Sequence, residues 1–320
     1  MWRGGHIKSL SAGAVALALS ACVTTTPPQP TPAPRANPTQ LAPTVPRTEP
    51  AARSAASLDM VRYYAKVQAD LLRNELLRTD AGGADTPFGA RQLAENFDAI
   101  ALNDEYTDVG GQYVARTTRS TLHKWIVPVR LGLEFGASVP AAQRTKDQAT
   151  LTALAAQLGR ATGHSVAVSA RPNFHVLVLN EDERRAAGPR LAQLIPGLPS
   201  AAVRSVENMP PSAYCLVIAS DPADDGAYRT AVAVIRGEHP DLMRASCFHE
   251  EIAQGLGLAN DSPHARPSIF NDDEEFALLT RHDELLLRIL YDPRLTAGMQ
   301  PDTARAIATQ IARELMGDPL

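Results

Sequence analysis

Four apolar runs of strand length dominate the second half of the chain: SVAVS at 165–169, FHVLVLN at 174–180, YCLVIAS at 214–220 and TAVAVIRG at 230–237. Runs this short and this rich in valine and isoleucine read as strands. The alternating stretch WIVPVRLGLEF at 125–135 predicts one more. Between it and the runs, Gln143 to Thr162 carries Leu151, Leu154, Leu158 and Ala161 at helical spacing, and another helix begins near Cys247. The order strand, helix, several strands, helix predicts an α+β fold with α/β-like layers, helices packed on a mixed sheet.

The flanks are helical. Residues 58–78 place Val61, Tyr64, Val67, Leu71 and Leu72 on one stripe, and a second helix is predicted near 91–102 after the break AGGAD. These two form a predicted N-terminal helical segment over 57–110, ahead of a main domain over 111–320. Near the C-terminus, Thr280 with Asp283 three residues on resembles a capping box, and Leu286, Ile289 and Leu290 form a buried stripe before Pro293. A last helix over 302–316 carries Ala304, Ile307, Ile311 and Leu315 on one face.

The first residues read as an export signal. MWRGGHIK is cationic, and LSAGAVALALS is apolar but too short to span a bilayer. The run ends in Leu19-Ser20-Ala21-Cys22, which resembles a bacterial lipobox. That resemblance implies cleavage after residue 21 and lipidation of Cys22, anchoring the chain in a membrane. Val23 after the cysteine resembles lipoproteins passed on to the outer membrane, so the expected position is periplasm-facing. Proline-rich sequence over 22–56 is then a disordered, semi-rigid tether.

In an oxidising compartment the remaining pair, Cys215 and Cys247, reads as a disulfide. Such a loop of about thirty residues is worth roughly 3–4 kcal/mol. The formal net charge of −4, with Lys and Arg spread along the chain, removes the electrostatic case for a nucleic-acid partner.

The chemistry concentrates in SCFHEEIAQGLGLAND, 246–261. On a helix, Phe248, Ile252, Gly255 and Leu256 share the core face, and Glu250, Glu251 and Gln254 share another. His249 falls between them, in the wrong register for a partner one turn on, and reads as a boundary histidine rather than a ligand. Ser246 beside His249 and Glu250 is weak as a nucleophile, since helix neighbours are often close. The acid run DDEE at 272–275 reads as solvated loop charge, and His239 and His282 as surface residues.

The stretch Glu250 to Asp261, E-E-x-x-Q-x-x-G-x-x-N-D, resembles the metzincin metallopeptidase pattern HExxHxxGxxHD. Ser268-Ile269-Phe270-Asn271 resembles the methionine turn of that family, and Leu279-Thr280, Asp283 and Leu290-Tyr291 its following helix. The block EExxQxLGLxND, with SIFND and LYDPRLTAGM, is similar to a narrower group, the proteobacterial lipoprotein domain of unknown function 2927.

The metzincin resemblance implies ligand positions at Glu250, Gln254 and Asn260, a general base at Glu251, a helix exit at Gly257 and a turn at Ser268, Phe270 and Asn271. None of the three ligand positions is histidine, so zinc is not expected. His264, Asp261, Asp272 and Asp273 are candidate supplementary oxygen or nitrogen donors for a harder ion. The first expectation is a non-enzymatic envelope lipoprotein, a pseudopeptidase binding an extended peptide or an envelope protein, with the polar residues tied in a hydrogen-bond network. The second is a peptidase-type hydrolase using Glu251 as base, with a non-zinc metal or none.

Overall fold

The computed structural model describes residues 51–108, 113–271 and 273–318. Cys22, the export signal, the tether up to residue 50 and Asp272 lie outside the described residues. Residues 49–320 form one compact unit.

The unit opens with α1 (Ala55–Arg73) and α2 (Ala90–Ala101), then a hairpin of β1 (Asn103–Asp108) and β2 (Tyr113–Arg119). Short β3 (Lys124–Trp125) and β4 (Val129–Phe135) precede α3 (Ala141–Thr162), β5 (Val166–Val168) and β6 (Phe174–Leu179). Three short helices follow: α4 (Glu181–Arg185), α5 (Gly188–Leu194) and α6 (Ser200–Glu207). Then come β7 (Cys215–Ser220), β8 (Ala227–Tyr228), β9 (Thr230–Arg236), α7 (Asp241–Gly255), α8 (Arg281–Leu290) and α9 (Pro301–Met316).

The main sheet runs β5-β4-β6-β9-β7. Its first four strands are parallel, and β7 is antiparallel to β9 at one edge. Side chains alternate between two cores, as a pleated strand requires. Phe174, Val176 and Val178 of β6 and Ala231, Ala233 and Ile235 of β9 face the large core with α2, α3, α7 and α8. Leu177, Val232 and Val234 face the other side, against Leu191 of α5 and Val206 of α6. Because both faces are covered, these strands read as continuous apolar runs rather than alternating ones.

Several expectations are revised. The first helix stops at Arg73 rather than continuing to residue 78. Glu75 and Leu77 take φ of 60° and 58°, and Leu77 and Arg78 donate backbone N–H groups to the carbonyls of Glu274 and Glu275. Pairing with 274–277 therefore overrides helical propensity there. Pro128 lies between β3 and β4, so the expected single strand over 125–135 is two. Helix α7 begins at Asp241, before Cys247, with Pro240 preceding it and buried Arg244 bonding Asp147 at 2.6 Å.

His239 and His282 are not surface residues. His239 is 3 % exposed and packs on Tyr64, while His282 is fully buried, within 3.0 Å of the Asn96 amide and edge-on to Phe88. Burial, reinforced by the charges of Arg236 and Arg244, holds the His239 pKa well below its usual value.

The predicted boundary at residue 110 falls between the strands of the β1–β2 hairpin, and the N-terminal helices dock on the rest of the unit. Leu93, Phe97 and Ile100 of α2 enter the large core beside Ala304 and Ala308 of α9. Tyr64 of α1 is buried with Met243 and Ala277, and Ser57 Oγ donates to Glu238 at 2.6 Å.

Candidate functional site

A cleft of about 630 Å³ runs along the free edge of β7. One wall is the strand and its approach, Ser212 to Ala219. Arg236 fixes that approach by donating to the carbonyls of Met209, Pro210 and Ala213, while its charge pairs with Glu181 at 2.7 Å. The Cys215–Cys247 disulfide, Cα–Cα 5.9 Å, pins β7 over α7. The expected pairing of these two cysteines is thus met.

Helix α7 provides the floor through Glu250, Glu251 and Gln254, and Asp261 joins them from the following loop. Gln254 Nε2 donates to Asp261 Oδ1 at 3.2 Å. The core face of α7 is as expected: Phe248, Ile252 and Leu256 are fully buried. Gly255 packs so closely on Phe174 that a Cβ there would lie 2.5 Å from its ring. Trp125 Nε1 donates to the Gly255 carbonyl at 2.8 Å and fixes the helix end. Gly257 then turns the chain with φ of 123°, and a Cβ would sit 2.2 Å from the His123 carbonyl oxygen. Only glycine meets both demands.

Asp104, Glu105 and Glu274 line the same cleft, and among the described residues its lining contains no lysine or arginine. Glu251 is 4 % exposed, and its Oε2 has no hydrogen-bond partner. One carboxylate oxygen from each of Glu250 and Glu251 lies within 4.8 Å of the other and of Cys215 Sγ. Burial above all pushes both glutamates well above the usual carboxylate range. Asp261 and Glu105 raise both further, and Glu251 and Glu274 add to the effect on Glu250.

Other predicted positions stand apart from the cleft. Asn260 is 3 % exposed and does not line it. Its amide donates to the carbonyls of Ala99 and Asp261, and its oxygen accepts from Thr117 Oγ1, which ties α2 to the loop and the β1–β2 hairpin. His249 Nδ1 accepts from the Leu279 N–H at 3.1 Å, and burial lowers its pKa to about 4, so it is a neutral structural residue. His264 is exposed, and Asp273 lines a separate surface hollow beside Asn74 and Arg78. Glu274 is half-buried and lines the cleft rather than being solvated loop charge, and its carbonyl accepts from the Leu77 N–H.

The predicted turn is a structural node. Ser268 Oγ donates to Asp283 Oδ1 at 2.5 Å, and the Ile269 N–H and Thr280 N–H both donate to Oδ2 of the same carboxylate. Thr280 caps α8 in the expected capping box. Phe270 fills the core and Asn271 Nδ2 donates to the Ala265 carbonyl.

The donors in the cleft do not fit zinc. Zinc sites centre on imidazole or thiolate, with carboxylate as an added ligand rather than the whole set. Here His249 is engaged elsewhere and Cys215 is held in a disulfide, which leaves carboxylate and amide oxygens. Glu105, Glu274 and Asp104 were missed by sequence reasoning because they come from a hairpin and a loop far from α7 in the chain; no local pattern marks them.

A family model described as "Protein of unknown function (DUF2927)" matches residues 90–310, well over half of the 320-residue chain. The chain belongs to that family. No curated protein and no solved structure matches it.

Proposed function

We propose that this member of the DUF2927 family is a lipid-anchored cell-envelope protein whose domain binds an extended polypeptide along β7. The observation that carries the reading is the free antiparallel edge of β7 forming one wall of a cleft of about 630 Å³. An edge strand offers its unpaired N–H and C=O groups to an incoming chain, and pockets beside it select alternate side chains. The metzincin-like spacing supports the same layout, with α7 beneath the strand and a donor set unsuited to zinc. The acidic lining favours a peptide without its own run of carboxylates. The lipobox-like segment ending at Cys22 supports the anchoring, and loss of palmitate labelling in Cys22→Ser tests it.

Strand addition is tested by measuring peptide affinity against an N-methyl scan. Methylation of alternate peptide amides should abolish binding, with the intervening positions tolerant. An effect without that two-residue period would rule out pairing with β7.

A second reading is favoured by Glu251 Oε2, a buried carboxylate oxygen without a partner beside the cleft. A carboxyl with a raised pKa suits general acid–base work, which would make the protein a metal-assisted or metal-free peptidase. Cleavage of a broad peptide panel, lost in Glu251→Gln, would establish it; no cleavage leaves the binding role.

A further inference from the structure

We infer that Glu250, Glu251, Asp261 and Gln254 form a site for a hard divalent cation of the calcium, magnesium and manganese class. The inference does not depend on peptide binding. Neighbouring helix residues are turned about 100° from each other, so sharing a broad face does not by itself bring the Glu250 and Glu251 carboxylates together. Here the disulfide brings β7 over them, and both carboxylates converge within 4.8 Å of each other against the Cys215 sulfur.

The Cys215 sulfur, held in the disulfide, has no proton to donate to a carboxylate. Glu251 Oε2 is buried with no partner, and an unpaired buried charge is costly. Asp261, bonded by Gln254 Nε2, brings a further carboxylate to the same cleft, beyond the 4.8 Å group, and the Gln254 amide oxygen is a neutral donor. Glu105 and Glu274 line the same cleft and add to the negative potential. Among the described residues that line the cleft there is no lysine or arginine.

An all-oxygen set of carboxylates plus one amide, open to water on the cleft side, matches calcium best because its coordination is flexible; magnesium demands stricter geometry. The buried position of Glu251 Oε2 favours a small ion over a lysine or arginine side chain. With Glu251 as a ligand, it is not a free base, and the ion presents its remaining positions to the cleft.

The test uses the full-length protein in nonionic detergent, stripped with EDTA and dialysed. Calcium, magnesium, manganese and zinc chlorides are titrated by calorimetry, with thermal midpoints recorded in parallel. The expected result is one equivalent of calcium or manganese bound, a midpoint rising with concentration, and zinc weaker. Glu251→Gln and Asp261→Asn should each weaken binding tenfold or more, while Glu314→Gln, an exposed ion-pair residue remote from the cleft, should not. No saturable binding of calcium, magnesium or manganese below millimolar concentrations overturns the inference, as does binding unchanged in both cleft variants. A carboxyl pair that only shares a proton gives that negative result together with a stability set by pH alone. Peptide binding that persists in EDTA alongside absent metal binding sinks this inference alone. Metal binding without any peptide binding sinks the functional reading alone.

Discussion

Glu251 shows how one side chain trades stability for a poised site. Its pKa is raised in the folded state by burial and by Asp261 and Glu105. The folded protein therefore holds a proton that the unfolded chain has released above the ordinary glutamate value, and stability falls as pH rises through the folded pKa. In metal-free buffer, Glu251→Gln should match the parent below about pH 4 and exceed it at neutral pH. A relief of about 1 kcal/mol corresponds to roughly 2–4 °C in a domain of this size. Thermal melts at pH 4 and pH 7.5 check this; a variant less stable at both values contradicts it. Gly257 is the opposite case, a residue set by backbone geometry. Gly257→Ala puts a methyl into the His123 carbonyl and strains the φ, so the expected cost is about 3 kcal/mol or more. Gly163→Ala, also at positive φ but with open space around it, should cost only about 1 kcal/mol in the same denaturant titration.

Between elements, the decisive contact is β7 on α7. Among the described residues the strand pairs with β9 alone, and the disulfide joins its first residue to the middle of the helix. Replacing both cysteines by alanine should lower stability by about 3 kcal/mol through loss of loop closure. It should also speed hydrogen exchange at β7 more than at β6, which is paired on both sides. Equal effects on the two strands would mean that β9 alone holds the cleft wall. The spacing of α7 was legible from its apolar face and from the glycine exit. The identity of the residue facing the cleft after that exit was not. The chain leaves Gly257 so that Asn260 turns inward to Ala99 and Asp261 takes the place beside Gln254.

The whole compact unit spans 49–320, and α1 is an integral part of it. A chain starting at residue 51 should melt within about 2 °C of the full-length protein. Starting at residue 79 should cost about 3–5 kcal/mol, because it removes buried Tyr64 and the hydroxyl of Ser57 from Glu238. Circular dichroism melts of the two fragments check both; equal midpoints would show that α1 is dispensable.

The sequence by itself determined the main strands, the long helices, the capping of α8 and the disulfide. Each of these depends on residues close together in the chain, except the disulfide, which joins the two cysteines among the described residues. It did not reveal α4, α5 and α6, which are too short for a periodic signal, or the polar hairpin β1–β2. Tertiary structure alone decided where α1 ends, that His239 and His282 are buried, and which carboxylates meet. Glu105, Glu250, Glu251, Asp261 and Glu274 come from a hairpin, a helix and two loops, and only sheet order and the packing of β7 on α7 bring them to one cleft. Charges brought together in that way leave no local pattern, because their proximity comes from the fold rather than from their spacing in the chain.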